Sequence, residues 1–150
     1  MQVKHLDHLN ITVKNLNTSK DWYRRVFSFN TVEEGSRKGK RWAIIRAGEA
    51  LLCLYENPSR IFLDVDELEN REIQTINHFS LRIMDRSAWE NTVRREGIPV
   101  QFGGAYAYPH STSWYINDPT GYEIEVVYWN DDIVSFSESG ASNGFSGCFG

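Results

Sequence analysis

The chain has 150 residues, 41% apolar and 24% charged, with a formal net charge of −4. That is the make-up of one soluble domain or of two half-sized modules. Lys and Arg are scattered rather than run together, which gives no basic surface for nucleic acid, and no apolar run approaches the roughly 20 residues of a membrane span. Two cysteines, Cys53 and Cys148, make no disulfide framework. The opening Met1-Gln2-Val3-Lys4-His5 carries no apolar signal region, so a cytoplasmic protein is expected.

Residues 6–13 alternate apolar and polar side chains with the period of a half-buried strand. Leu9, Ile11 and Val13 point one way, His8, Asn10 and Thr12 the other. Thr18, followed by Asp21, predicts a capped helix over about 18–28. Its inner face carries Trp22, Val26 and Phe29, joined by Tyr23 and Phe27. Residues 30–34 read as a strand, 35–40 as a polar loop, and 41–47 and 50–56 as two strands about a tight turn at Gly48-Glu49. Residues 57–75 read as an acidic connector. Residues 76–83 restart the pattern: Phe79, Leu81 and Ile83 face one side, and His78, Ser80 and Arg82 the other. Ser87 and Glu90 form a capping box for a helix over 87–96 that ends at Gly97. A strand over 98–102, a loop over 103–111 and strands over 112–117 and 122–129 complete the order, the last two joined by an Asp118-Pro119-Thr120-Gly121 turn.

The two halves repeat. His8 matches His78 and Arg24-Arg25 matches Arg94-Arg95 at an offset of 70, while Arg41-Trp42 matches Ser113-Trp114 at an offset of 72. A repeated supersecondary unit predicts two β-α-β-β-β modules, 1–56 and 76–130, joined by the connector 57–75 and followed by a Ser/Gly/Phe tail over 131–150. The expected fold class is α+β, with the two modules related by a pseudo-twofold axis and their curved mixed sheets around a cleft.

The last strand puts Ile124, Val126 and Tyr128 on its helix side and Glu123, Glu125 and Val127 on the polar side. A carboxylate on a strand covered on one face needs a partner. A lone strand histidine is usually structural. Two at repeat-equivalent positions, with a carboxylate at the matching register, are the donors that a divalent cation takes. Of the other histidines, His5 reads as surface or packing. His110 lies in the 103–111 loop beside Tyr106 and Tyr108, as an acid–base candidate or a solvated side chain.

Asp7-His8-Leu9-Asn10-Ile11-Thr12-Val13, Trp22-Tyr23, Asn77-His78-Phe79-Ser80-Leu81 and Asp118-Pro119-Thr120-Gly121-Tyr122-Glu123-Ile124-Glu125 together resemble the vicinal oxygen chelate superfamily. That group includes glyoxalase I, extradiol dioxygenases, fosfomycin-resistance enzymes and bleomycin-binding proteins. The resemblance covers about 4–129 and implies that His8, His78 and Glu125 hold one divalent metal at the centre of the cleft. It also implies a fourth ligand position, which the offset of 72 carries to Cys53; glyoxalase I usually has a glutamate there. Cys53 is open to three roles: thiolate ligand, buried filler or substrate-side residue. Free cysteine is most often buried packing.

What remains is a two-His-one-carboxylate triad suited to Fe, Mn, Ni or Zn. The resemblance implies a glyoxalase-like lyase or isomerase acting on a small oxygenated substrate. The alternatives are an Fe(II) extradiol dioxygenase, with His110 or Tyr115 assisting the bound substrate, and a metal-free, bleomycin-resistance-like binding protein. A homodimer is expected from the same resemblance, and no nucleic-acid or membrane partner from the composition.

Overall fold

The computed structural model describes residues 1–131 and 134. Of the tail expected over 131–150, residues 132, 133 and 135–150 lie outside the described residues. The chain divides into two compact units, Met1–Phe62 and Leu63 onward.

The first unit runs β1 (Leu9–Val13), α1 (Leu16–Phe27), β2 (Asn30–Arg37), β3 (Lys40–Ala47) and β4 (Ala50–Glu56). Its sheet has the order β1-β4-β3-β2, with β1 parallel to β4 and the other pairs antiparallel. The parallel pair follows from the α1 crossover, and the antiparallel pairs from short turns. Ile11 and Val13 of β1, Leu16, Tyr23 and Val26 of α1, and Ala43, Ile45, Leu52 and Leu54 of β3 and β4 are buried and form the core. The helix begins earlier than expected. Asn15, not Thr18, is its N-cap: the Thr18 N–H donates to Asn15 Oδ1 at 2.9 Å. The earlier start buries Leu16 in the core. Glu56 Oε2 accepts the otherwise free N–H of Leu16 at 2.8 Å, so this acid closes the helix start.

The polar loop expected over 35–40 is instead the end of a longer hairpin. Lys38 and Gly39, both at positive φ (52° and 75°), make the turn, and the flanking residues extend β2 and β3.

The second unit runs α2 (Val65–Asn70), β5 (Phe79–Arg82), α3 (Arg86–Glu96), β6 (Tyr106–Ala107), β7 (Ser111–Asn117) and β8 (Glu123–Trp129). Its sheet has the order β5-β8-β7-β6, again with a parallel first pair. Trp89 of α3 meets Trp114 of β7 edge to face, and both pack in a core with Ile116, Ile124 and Val126.

Three expectations change here. α3 is capped by Asp85, whose Oδ1 accepts from Ala88 N at 2.9 Å, rather than by Ser87. The strand expected over 98–102 does not form, because Phe102, Gly103 and Gly104 all take positive φ and turn the chain. The edge strand is Tyr106–Ala107 instead. The connector holds a helix, α2, closed by a capping box between Asp64 and Glu67.

After α2, the second unit repeats the element order of the first, which bears out the β-α-β-β-β repeat. Register states it residue by residue: Asn10 pairs with Cys53 in the first sheet, Ser80 with Glu125 in the second. Among the described residues no helix is long and apolar enough to cross a membrane.

Candidate metal centre

Strand register assembles the polar cluster of the second unit. Side chains directly opposite on neighbouring strands share a face. Glu125 on β8 lies opposite Ser80 on β5 and opposite Tyr115 on β7. Ser113, two residues before Tyr115, reaches the same face. The Glu125 carboxylate is buried and accepts three hydroxyl hydrogen bonds. Ser80 Oγ donates to Oε2 at 2.5 Å, Ser113 Oγ to Oε1 at 2.6 Å and Tyr115 OH to Oε1 at 3.3 Å.

His78 immediately precedes β5, and its ring is held by two acids of one strand. Nε2 lies 3.4 Å from Glu125 Oε2, and Nδ1 lies 3.5 Å from Glu123 Oε1. Hydrogen bonding to Glu123 and then Glu125 raises the imidazole to about 9 against the opposing effect of burial. Burial pushes Glu125 upward, but bonds from His78, Ser113 and Ser80 outweigh it and hold the acid down at about 2. Tyr115 is driven in the other direction. Burial, its bond with Tyr108 and the charge of Glu125 push the phenol well above its usual range, so it stays a donor.

The remaining candidates are placed as follows. His8 immediately precedes β1 and is partly exposed, and its Nδ1 lies 2.7 Å from Asp7 Oδ2. That bond lowers Asp7, and it leaves Nε2 as the free ring nitrogen. Cys53 is buried, and burial followed by the charge of Asp7 raises its thiol, which disfavours a thiolate. His110 faces Asp131, with Nδ1 3.5 Å from Oδ2. Of the two acid–base candidates, Tyr115 reaches the cluster, while His110 faces Asp131.

Sequence reasoning missed Ser80 and Ser113 as holders of Glu125. Ser80 was legible, since it follows His78 by two residues on the polar face of the same strand. The Glu123–His78 contact was also missed, because alternation puts His78, Arg82 and Glu123 on polar faces without saying which of them meet.

Among the described residues no three His, Cys, Asp or Glu side chains are already grouped to hold an ion. The donors that meet are His78 Nε2 and Glu125 Oε2. Their 3.4 Å separation is what two ligands about 2.0–2.2 Å from one ion keep across a tetrahedral angle. Ser80, Ser113 and Tyr115 orient the carboxylate as outer-shell groups orient metal ligands. The chemistry and spacing of this donor pair fit a divalent cation.

Comparison with known proteins agrees with this fold. The model of the Glyoxalase/Bleomycin resistance protein/Dioxygenase superfamily matches residues 5–126. Catechol-2,3-dioxygenase of Bacillus subtilis (strain 168) is 26% identical over 125 residues, covering 81% of this chain but only 40% of that protein. Among solved structures, a glyoxylase/bleomycin resistance protein/dioxygenase domain from Frankia sp. EAN1pec superposes with a TM-score of 0.73 at 14% identity, covering 88% of this chain and 96% of that one. FosX, a fosfomycin resistance protein from Listeria monocytogenes solved with Mn(II) and sulfate, gives a TM-score of 0.61 at 16% identity and covers 85% and 93%. With the family model matched from before the first strand into the last, the chain belongs to the glyoxalase/bleomycin resistance/dioxygenase superfamily.

Proposed function

We propose that this chain is a metal-dependent enzyme that grips two neighbouring oxygens of a small substrate, with His78, Glu125 and His8 as protein ligands. The observation that carries this reading is the Glu125 carboxylate, buried beside an imidazole and accepting three hydroxyl hydrogen bonds. A divalent ion bound there supplies Lewis-acid stabilisation of the negative charge that develops on a substrate oxygen. Tyr115 keeps its proton and donates to Glu125 or to the substrate; it is not the base.

The sequence put a glyoxalase-type lyase or isomerase first and an extradiol dioxygenase second. The placement of Cys53 favours the opposite order. It stands at the repeat-equivalent of Glu125, yet it is buried with its thiol raised, so a four-ligand glyoxalase I set is short of its acid. A two-His-one-carboxylate set with open positions is the arrangement of Fe(II) oxygenases. The similarity to a catechol dioxygenase supports the same order, although the chain spans only 40% of that relative.

A second reading has its own support. Both ring nitrogens of His78 already face carboxylates, so the imidazole is paired without a metal, as a metal-free ligand-binding cleft requires.

Elemental analysis of tag-free protein, with His8→Ala and Glu125→Gln beside it, tests the proposal. The expected result is about one divalent ion per chain, lost in both variants, and ring cleavage of catechols after anaerobic loading with Fe(II). Ions that persist in both variants would sink the ligand assignment. No metal after anaerobic reconstitution, with ligand binding indifferent to chelator, would leave the cleft reading.

A further inference from the structure

The second unit holds a recess apart from the His78–Glu125 contact, built from α2, the chain leading to β5, the turn at Phe102 and the start of β8. Its volume is about 170 Å³, with Leu68, Ile73 and Phe102 as apolar wall and Glu69, Glu72 and Glu123 as acids. A cavity of about 150 Å³ takes a benzene molecule, so this one suits an arm of about six non-hydrogen atoms rather than a whole drug-sized ligand. No Lys or Arg lines it.

Two observations point to its occupant. The first is Glu123, whose side chain is 9% exposed. Oε1 faces His78, whereas Oε2 is buried with no hydrogen-bond partner. A buried carboxylate oxygen without a donor is costly, and native structures rarely keep one unless something supplies the proton donor. The second is Phe102. Its φ of 53° is a left-handed conformation that a bulky side chain rarely adopts. Local strain of this kind concentrates at ligand sites. Phe102 is 72% exposed, and its ring meets that of Tyr115 edge to face, 5.4 Å between centroids. An aromatic ring held beside carboxylates is the chemistry that recognises an organic cation.

We propose that this recess binds the protonated amine of a small organic cation, an alkyl- or arylalkyl-ammonium group. A turn of the Glu123 carboxylate, which lines the recess, presents Oε2 to the ammonium N–H, while the carbon chain lies against Leu68, Ile73 and Phe102 and Glu69 and Glu72 add attraction at the rim. The oxygen used is the one that His78 does not engage, so the site stands whether or not a metal binds beside it. Where a metal does bind, the recess selects substrates that carry a cationic arm.

Calorimetric titration of the chelator-treated full chain with n-pentylammonium, benzylammonium, 1-pentanol and pentanoate tests this. Saturable binding of both ammonium ions is expected, at least about tenfold tighter than the alcohol, with no binding of the carboxylate. Glu123→Gln weakens the ammonium ions about tenfold or more and leaves pentanol unchanged, because it removes the charged half of a desolvated pair. Should Glu123→Gln unfold, Phe102→Ala and Glu69→Gln/Glu72→Gln, all changes on the open side of the recess, carry the test, with losses of several-fold expected. Ammonium ions that fail to saturate, or that bind equally to wild type and to well-folded variants, overturn the proposal. So does one-for-one displacement of pentylammonium by Mn(II), which would make Glu123 a metal ligand.

Discussion

Cys53 and Glu125 hold the same place in their two sheets. Cys53 stands opposite Asn10 across the parallel β1–β4 pair, and Glu125 stands opposite Ser80 across the parallel β5–β8 pair. One position holds a buried thiol and the other a buried carboxylate. The difference lies in what surrounds each. Glu125 has Ser80, Ser113 and Tyr115 to donate to it, whereas burial and the nearby charge of Asp7 hold the proton on Cys53.

Cys53→Ala therefore leaves metal content unchanged and costs about 1 kcal/mol, the loss of one small buried side chain. Elemental analysis and urea denaturation check the two halves of this statement. Metal lost from a variant that is otherwise well folded would make the thiol a ligand after all.

Ser113→Ala acts on the acid itself. Ser113 is fully buried and its hydroxyl lies 2.6 Å from Glu125 Oε1. Its removal leaves that oxygen the longer bond from Tyr115. A hydrogen bond to a charged group contributes about 1.5–3 kcal/mol, and that much stability should be lost in metal-free protein. Loss of a group that orients a ligand typically weakens metal binding about 10–100-fold. A metal titration of the variant that matches wild type would separate Glu125 from the metal.

The pH dependence follows from the two displaced acids. His78 is raised from 6.5 to about 9, so its stabilising effect is complete below 6.5 and disappears as pH climbs through 9. Glu125 is lowered from 4.5 to about 2, so its effect is complete above 4.5 and disappears as pH falls through 2. For these two groups metal-free protein is most stable between 4.5 and 6.5 and weakens on either side. Metal binding runs against the first trend. In the proposed site His78 would have to release its proton to ligate, so affinity should rise with pH until about 9. Denaturation midpoints with chelator present and metal titrations at the same pH values should slope in opposite directions above 6.5. Midpoints that stay level from 6.5 to 9 would mean that His78 is not paired with these acids.

Much of this was legible in the residues because the repeat is local. Period-two alternation placed His8, His78 and Glu125 on polar faces, and the offsets of 70 and 72 reappear as the pairs Asn10–Cys53 and Ser80–Glu125. The helix starts were misread because Ser and Thr compete with nearby Asn and Asp as caps, and in both helices the Asn or Asp won. α2 was missed because its acidic, apolar-poor run has no buried residue to give it a period, and only the Asp64–Glu67 capping box signals it. Contacts such as Glu123 with His78 depend on side-chain direction after the strand begins, which alternation alone does not specify.

The register that places Glu125 is itself anchored at the β7–β8 turn, and Asp118 is the anchor. Its buried carboxylate Oδ1 accepts the backbone N–H groups of Thr120, Gly121 and Tyr122 at 2.8, 2.8 and 2.9 Å. Gly121 sits at φ 111°, a conformation that side chains rarely allow. Together they start β8 so that Asn117 meets Glu123 and Tyr115 meets Glu125. Asp118→Ala leaves three N–H groups without that acceptor and should cost about 3 kcal/mol or more. Asp118→Asn keeps one carbonyl oxygen in place and should cost about 1 kcal/mol. Urea denaturation ranks the two variants. Metal bound per folded chain should stay constant in both, because the turn sets the strand register without touching the donors. An alanine variant as stable as wild type would mean that the cross-strand contacts of β7 and β8 hold the register unaided.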